Sequence, residues 1–225
     1  LLEIEYKWEG RFPAIQIGML PPEQEDLMAQ AVNLAKTSDA VILVVGTNSD
    51  WETEGNDRST LDLPGSQNEL IQKVVKENPN TVVVVNTGSP ISMPWLNDAK
   101  AILQCWFPGQ EFGNALFDIL FGEVNPSGKL TTTFPNRLED TPAFKHYPGK
   151  NLQMDYLEGI FVGYRWYDKK EIEPLFPFGF GLSYTEFEYA DLKIVPPKKE
   201  DSAIAFSFRV TNTGTTRGKE ITQCY

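Results

Sequence analysis

The residues best suited to chemistry lie in one acidic loop, GTNSDWETEGNDRSTLDLPG, at residues 46–65 of the 225-residue chain. The loop combines carboxylates with an arginine and a tryptophan: Asp50, Glu52, Glu54, Asp57, Asp62, Arg58 and Trp51. Tryptophan stacks on the apolar faces of sugars, and a carboxyl group near an apolar surface has a raised pKa, so it can donate a proton. The loop therefore indicates carbohydrate chemistry. The alternative is a solvated acidic loop on a protein of net charge −11.

Other catalytic and cofactor motifs are absent from the sequence. With one histidine, His146, and two cysteines, Cys105 and Cys224, we expect no zinc or copper site and no disulfide framework. Cys105, inside the apolar run AILQCW, is predicted to be a core thiol. A serine triad would depend on His146 in a Pro/Gly-rich loop, and no G-x-S-x-G motif occurs. The glycine fingerprints of nucleotide-binding loops are also missing, which counts against a doubly wound nucleotide- or flavin-binding module. We therefore expect no metal and no cofactor.

Composition narrows the class of protein. Hydrophobic residues make up 41% and charged residues 23% of the chain, which is typical of a globular protein. The apolar runs are too short for a membrane span, and no signal peptide is visible. An excess of acidic residues argues against nucleic acid or an anionic membrane as partner. The sequence has no N-x-[ST] acceptor for N-glycosylation, since Asn-Pro-Ser does not count as one. This absence favours an intracellular protein over a secreted one.

Helices and strands alternate in the first half of the chain. Helices are predicted around an apolar stripe of Leu27, Ala31, Leu34 and Ala35, at 66–77, and from Phe112 to Leu120. The intervening strands are DAVILVVG, TVVVVN and AILQCW. Each is a solid apolar run, and DAVILVVG in particular is typical of a strand buried on both faces. This alternation predicts an α/β fold, with a mostly parallel sheet flanked by helices. The acidic loop then follows the carboxyl end of the first strand, where such sheets bind ligands.

The chain divides into three predicted parts. Residues 1–21 contain two β-rich runs, which we assign to the tail of a preceding β-rich domain. Residues 22–185 form the α/β domain, whose Pro-, Gly- and aromatic-rich portion after about residue 122 is an ordered wrapping segment. Residues 186–225 contain three alternating strands, FEYADLKIV, SAIAFSFRVTNTG and KEITQCY, which form an incomplete β-sandwich. We therefore expect the chain to be a fragment.

Five motifs in order carry a family resemblance over nearly all of residues 22–225. They are WETEGNDRSTLDLPGSQNELI, NPNTVVVVNTGSPISMPW, WFPGQEFGNALFDILFGEVNPSGKLTTTFP, EGIFVGYRWYD and FPFGFGLSYTEFEY. The chain resembles the C-terminal half of family 3 glycoside hydrolases, and most of all fungal β-glucosidases. The resemblance implies an α/β sandwich domain followed by the start of a fibronectin type III-like domain. It also implies that residues 1–21 end a PA14-type insertion.

The resemblance assigns roles within the acidic loop. Glu54, in the sequence Glu54-Gly55-Asn56-Asp57-Arg58 (compare E-G-x-D-R), takes the place of the family's acid/base glutamate, and Glu52 is the alternative. Asp57 and Arg58 are expected to pair and support the loop. Trp51 borders the sugar site or packs in the loop.

The resemblance places the second catalytic group outside this chain. In the family, an aspartate from an N-terminal (β/α)₈ barrel is the nucleophile of a retaining mechanism. The S-D-W string containing Asp50 is similar to the nucleophile motif, but it lies in the wrong domain, so we interpret Asp50 as a coincidence. The expected function is a retaining β-glucosidase acting on terminal β-D-glucosyl residues, whose fragment is inactive alone. The alternative is a non-catalytic carbohydrate-binding or interaction module. Aglycone and linkage preference, and homo-oligomerisation, stay open.

Overall fold

A parallel three-stranded sheet forms the centre of the structure, a computed structural model that describes residues 26–55, 57–195 and 204–225. Its strands, in spatial order, are β1 (Val41–Gly46), β2 (Thr81–Asn86) and β3 (Ala101–Gln104). Three helices alternate with these strands along the chain: α1 (Leu27–Thr37), α2 (Gln67–Glu77) and α3 (Phe112–Leu120). The predicted α/β fold, a mostly parallel sheet flanked by helices, is confirmed.

Local signals explain where α1 and α2 begin and end. The Asp26 side chain caps α1 by accepting a hydrogen bond from the Ala29 amide at 2.9 Å. Helix α2 carries Glu69 in its first turn and Lys76 in its last, which suits the helix dipole. The Asn78 side chain, just after α2, donates to the carbonyl of Ala35 at the end of α1. The two helices are thereby joined at their C-terminal ends.

The main hydrophobic cluster packs between α2 and β2. Ile71 and Val75 of α2 pack with Val83 and Val85 of β2, all at most 4% exposed. Larger side chains complete the same cluster: Trp95, Phe134, Ile91, Met93 and Leu63. Trp95 is fully buried and its indole donates to the Asn68 side chain at 2.9 Å, so its polar atom is satisfied inside the core.

The burial predicted for β1 and α1 is wrong in part. Ile42 and Val44 of β1 are about half exposed, and Leu27 and Leu34 of α1 are 70% exposed. β1 is the edge strand of the sheet, and the described residues leave its outer side chains open to solvent. A solid apolar run predicts a strand, but whether both faces are covered depends on the neighbouring layers. Among these α1 side chains, only Ala35 is buried.

The wrapping segment is ordered by backbone pairing with the aromatic motif near residue 180. Phe134 and Leu130 donate to the carbonyls of Phe176 and Phe180 at 2.8 Å. Gly181 is required for this approach, since a Cβ there would lie 2.3 Å from the Gly128 carbonyl oxygen. The segment also contains a 3₁₀ turn (Leu138–Asp140) and a short helix, α4 (Tyr164–Lys170), that the sequence analysis did not predict.

An antiparallel pair of strands, β4 (Phe187–Val195) and β5 (Ala205–Asn212), ends the fold. The third strand predicted at KEITQCY is wrong: these residues form no strand, and Glu220 instead contacts Lys129 at 3.5 Å and Tyr189 at 3.0 Å. The predicted domain tail at residues 1–21 lies outside the described residues, and the domain boundaries stay predictions. None of the helices in the described part of the chain has the length and hydropathy needed to cross a membrane.

Because one face of α2 packs in the core, substitutions at two adjacent residues should change the free energy of unfolding by very different amounts. Ile71→Ala should lower the free energy of unfolding by about 2–5 kcal/mol, because it opens a cavity under β2. Gln72→Ala, on the exposed side of the same helix, should change it by about 0.5 kcal/mol or less. Urea titration of both variants measures the difference. Equal losses would contradict the assignment of this helix face to the core.

Candidate active site

The acidic loop leaves β1 at the edge of the sheet where all three strands end. The strands pair in parallel, with Gly46 beside Asn86 and Val85 beside Gln104. Gln67, at the start of α2, accepts from the Gly46 amide at 2.7 Å and donates to the Pro64 carbonyl at 3.1 Å. One side chain thus joins both ends of the loop, which keeps the long connection compact.

Glu52 is held inside the loop. Its Oε1 atom accepts a hydrogen bond from the Thr47 hydroxyl at 2.8 Å and lies 3.5 Å from Nη1 of Arg58. The Glu52 and Arg58 side chains are each only 14% exposed. This carboxylate is therefore engaged by a charge and a hydrogen bond from its own chain, and it is largely removed from solvent.

Arg58 links the loop to the turn after β2. Its Nη1 donates to Ser89 Oγ at 2.7 Å and to the Pro90 carbonyl at 3.4 Å. Burial lowers the pKa of the Arg58 guanidinium, and the negative charges of Glu52 and Asp62 act in the opposite direction. Its Nε and Nη2 atoms are buried and find no hydrogen-bond partner among the described residues.

Asp57 and Arg58 do not form the pair expected from the sequence. Asp57 lies on the exposed side of the loop, where its carboxylate accepts a hydrogen bond from the Tyr147 hydroxyl at 2.5 Å. This bond is the main reason why the pKa of the Tyr147 phenol is raised. Adjacent residues in an irregular loop point in different directions, so Arg58 turns towards Glu52 while Asp57 turns towards the wrapping segment. Each connects the loop to a different neighbour.

Glu54 is exposed and differs from Glu52 in its contacts. Within the described residues, its carboxylate makes no hydrogen bond and no ion pair. Gly55 follows it with open space around its Cα. The loop therefore presents one glutamate outward and holds the other inward, although the two are only two residues apart.

Trp51 and Asp50 have less distinct surroundings. Trp51 is partly buried, and its buried indole Nε1 has no hydrogen-bond partner in the part of the chain that the structure describes. Asp50 is exposed, and its backbone amide is bonded to the Asn48 side chain at 3.1 Å. These contacts do not decide whether Trp51 borders a sugar site or packs in the loop. They also do not test the interpretation of Asp50 as a coincidence, so both interpretations stay predictions.

A cavity of about 400 Å³ lies between the loop and the wrapping segment. Its lining includes Arg58, Ser89, Thr133 and Tyr167. Burial, assisted by the charge of Asp140, raises the pKa of Tyr167 to about 12. Of these residues, sequence reasoning singled out only Arg58 for the site, because nothing in the pattern of a Pro- and Gly-rich segment indicates which residues fold back under the loop.

The described residues include possible metal ligands and the thiol of Cys105. No group of three His, Cys, Asp or Glu side chains is placed there to hold a metal ion. Cys105 is partly buried, so the predicted core thiol is wrong in degree, and burial raises the pKa of its thiol.

Comparison with known proteins identifies the family. A sequence model of the glycosyl hydrolase family 3 C-terminal domain matches residues 9–184, which is most of the chain. The chain belongs to glycoside hydrolase family 3. It is 47% identical over 216 residues to a beta-glucosidase of Rhizobium radiobacter, covering 94% of this chain and 26% of that protein. It is 45% identical over 207 residues to a probable beta-glucosidase I of Aspergillus clavatus, covering 90% and 25%.

A solved family 3 structure has the same fold. The beta-glucosidase of Kluyveromyces marxianus in complex with glucose matches with a TM-score of 0.78 and 46% identity, covering 84% of this chain and 22% of that one. The chain thus spans about a quarter of the length of the curated relatives it matches.

The buried phenol of Tyr167 predicts a pH dependence of stability. Its pKa of about 12 in the folded protein lies above the ordinary value of 10, so the folded state holds the proton more tightly than the unfolded state. This contribution is complete below pH 10 and is lost as the pH rises towards 12. The free energy of unfolding should therefore fall less steeply over this range in Tyr167→Phe than in the unsubstituted protein. If the free energy of unfolding fell equally steeply with pH in both proteins, the raised pKa of Tyr167 would be contradicted.

Proposed function

We propose that this chain is the part of a retaining β-glucosidase that supplies the acid/base group, Glu54. Family membership and relatives named beta-glucosidases support the activity. The observation that carries the residue assignment is the exposed, unpaired Glu54 carboxylate at the edge of the sheet, beside a Glu52 that is already engaged. The nucleophilic aspartate comes from a (β/α)₈ barrel of the same protein.

The proposed reaction has two displacement steps. In the first, the barrel aspartate attacks the anomeric carbon while Glu54, protonated, gives its proton to the leaving glycosidic oxygen. The bond from the anomeric carbon to that oxygen breaks, and a glucosyl ester of the aspartate forms. In the second, the Glu54 carboxylate takes a proton from water, the water oxygen attacks the same carbon, and the bond from that carbon to the aspartate oxygen breaks. Glucose leaves with its configuration retained and both carboxyl groups return to their starting states.

The contacts of the two glutamates favour Glu54 over Glu52 for this role. An acid/base group must reach the substrate oxygen within hydrogen-bond distance and must exchange its proton in each turnover. Glu54 faces outward, whereas Glu52 faces Arg58 and the Thr47 hydroxyl. To contact a substrate oxygen, the Glu52 carboxylate would have to leave both of these partners.

The proposed substrates are terminal β-D-glucosyl residues, as in cellobiose and in aryl or alkyl β-glucosides. A non-catalytic carbohydrate-binding module of the same fold is the second candidate. The two candidates differ in whether a barrel with a nucleophile belongs to the same protein, and the exposed Glu54 favours the catalytic one.

Glu54→Gln in the full-length protein tests the acid/base role. kcat/KM for an alkyl glucoside should fall by about 10²–10⁴-fold, because its poor leaving group needs the proton. kcat/KM for a dinitrophenyl glucoside should fall far less, and azide should restore kcat by replacing water as the attacking group. Glu69→Gln, on α2 and ion-paired only with the exposed Lys73, is the matched control and should change neither rate. Near-normal rates with both substrates in Glu54→Gln would contradict the assignment.

The segment by itself should be inactive. It contains Glu54 but lacks the barrel aspartate, so no covalent glucosyl intermediate can form. Purified residues 1–225 should release no phenol from an aryl β-glucoside above the buffer rate. Catalytic release that is lost on Glu54→Gln would show that the nucleophile lies within these residues and would overturn this part of the proposal.

A further inference from the structure

We propose that Glu52 and Arg58 are positioning residues, whose largely buried ion pair sets the direction in which Glu54 presents its carboxyl group. The inference rests on the proposed function and extends it to residues that do not touch the substrate. It begins with the enclosure of Glu52. One carboxylate oxygen meets Thr47 and Arg58, and the other, Oε2, lies against Gly88.

Gly88 shows how closely Glu52 is enclosed. A Cβ at this position would lie 2.5 Å from Oε2 of Glu52 and 2.6 Å from the ring of Phe107. The turn after β2 therefore has no room for a side chain between the Glu52 carboxylate and the residues that follow β3. Glu52 is fixed by packing as well as by charge.

Arg58 and Thr47 connect Glu52 to the residues that follow β2 and β1, and a separate hydrogen bond joins the turn after β2 to β3. Through Nη1, Arg58 holds Glu52 and the hydroxyl of Ser89, in the turn after β2. Thr47, which holds Glu52 from the other side, directly follows β1. Gln104, the last residue of β3, donates to the Thr87 carbonyl of the same turn at 3.0 Å.

Glu54 lies inside the span that this ion pair closes. It is two residues after Glu52 and four residues before Arg58, so both ends of a short span are fixed while its middle is exposed. Releasing one end would let the span sample more conformations. A misplacement of about 1 Å at a catalytic group can reduce the rate by about 10²-fold. The pair therefore acts on catalysis through the position of Glu54.

The burial of two of the Arg58 nitrogen atoms argues against their direct contact with substrate. Its Nε and Nη2 atoms are buried by the chain itself, so a sugar hydroxyl or an anion cannot reach them without opening the loop. Breaking the ion pair from either side would leave a charged group in this enclosure without its partner. Both observations fit a role within the loop.

The test is Glu52→Gln in the full-length protein, measured as kcat/KM on an alkyl and on a dinitrophenyl glucoside. We expect a fall of about 10- to 100-fold on the alkyl glucoside and of less than about threefold on the dinitrophenyl glucoside. A misplaced proton donor affects mainly the substrate that needs protonation, whereas a loss of folded protein lowers both rates equally. Azide should raise kcat less than it does in Glu54→Gln, because a displaced Glu54 can still serve as the base.

Two milder variants keep the test decisive if Glu52→Gln fails to fold. Ser89→Ala removes a hydrogen bond to Arg58, and Thr47→Val removes one to Glu52. In both variants kcat/KM should again fall more on the alkyl than on the dinitrophenyl glucoside, but by a smaller factor than in Glu52→Gln. Thermal unfolding of each variant reports whether it is folded. Glu69→Gln again serves as the unaffected control.

The outcomes separate this inference from the proposed function. Equal losses on both substrates, or no loss, in the folded variants would overturn the positioning role. Azide rescue of Glu52→Gln but not of Glu54→Gln would also overturn it, and would make Glu52 the acid/base. Near-normal rates in Glu54→Gln combined with no azide effect in either variant would instead overturn the proposed function.

Discussion

The loop that carries Glu54 depends on one largely buried ion pair, between Glu52 and Arg58. Removing a guanidinium from water is costly, and the attraction of a nearby carboxylate offsets that cost only when further hydrogen bonds contribute. Here Ser89 and Pro90 supply them to Arg58, and Thr47 supplies one to Glu52. Loss of one partner would leave the other charge largely removed from water without its counter-charge. The pair is therefore a condition for the loop conformation.

The parallel sheet makes this pair possible. Because β1, β2 and β3 run in the same direction, the residues that follow them meet at one edge, and contacts between distant parts of the sequence become short. The adjacent core, with Val83, Val84 and Val85 fully buried, keeps that edge rigid. Glu54 then combines two properties that usually exclude each other, an exposed side chain and a backbone fixed from both sides. A proton donor needs both.

The sequence was sufficient for the helices and strands of the α/β sheet, but not for their surroundings or for the wrapping segment. Apolar periodicity predicted α2 and the three strands, because those patterns are local. It did not predict that Ile42 and Val44 are open to solvent, since coverage depends on layers far along the chain. The resemblance located Glu54 in its loop, yet the expected Asp57–Arg58 pair was wrong, because side-chain direction in an irregular loop depends on tertiary partners. Tyr147, the actual partner of Asp57, lies 90 residues away.

The central claim, that Glu54 faces a nucleophile supplied by the barrel, is tested most directly by a crystal structure of the full-length protein with a bound glucose analogue. The quantity to measure is the distance between the Glu54 carboxyl group and the barrel carboxylate nearest the anomeric carbon. A retaining enzyme with this pair predicts about 5–5.5 Å, with Glu54 within hydrogen-bond distance of the glycosidic oxygen. A separation of about 6.5–9.5 Å, or Glu52 in contact with that oxygen instead, would contradict the account.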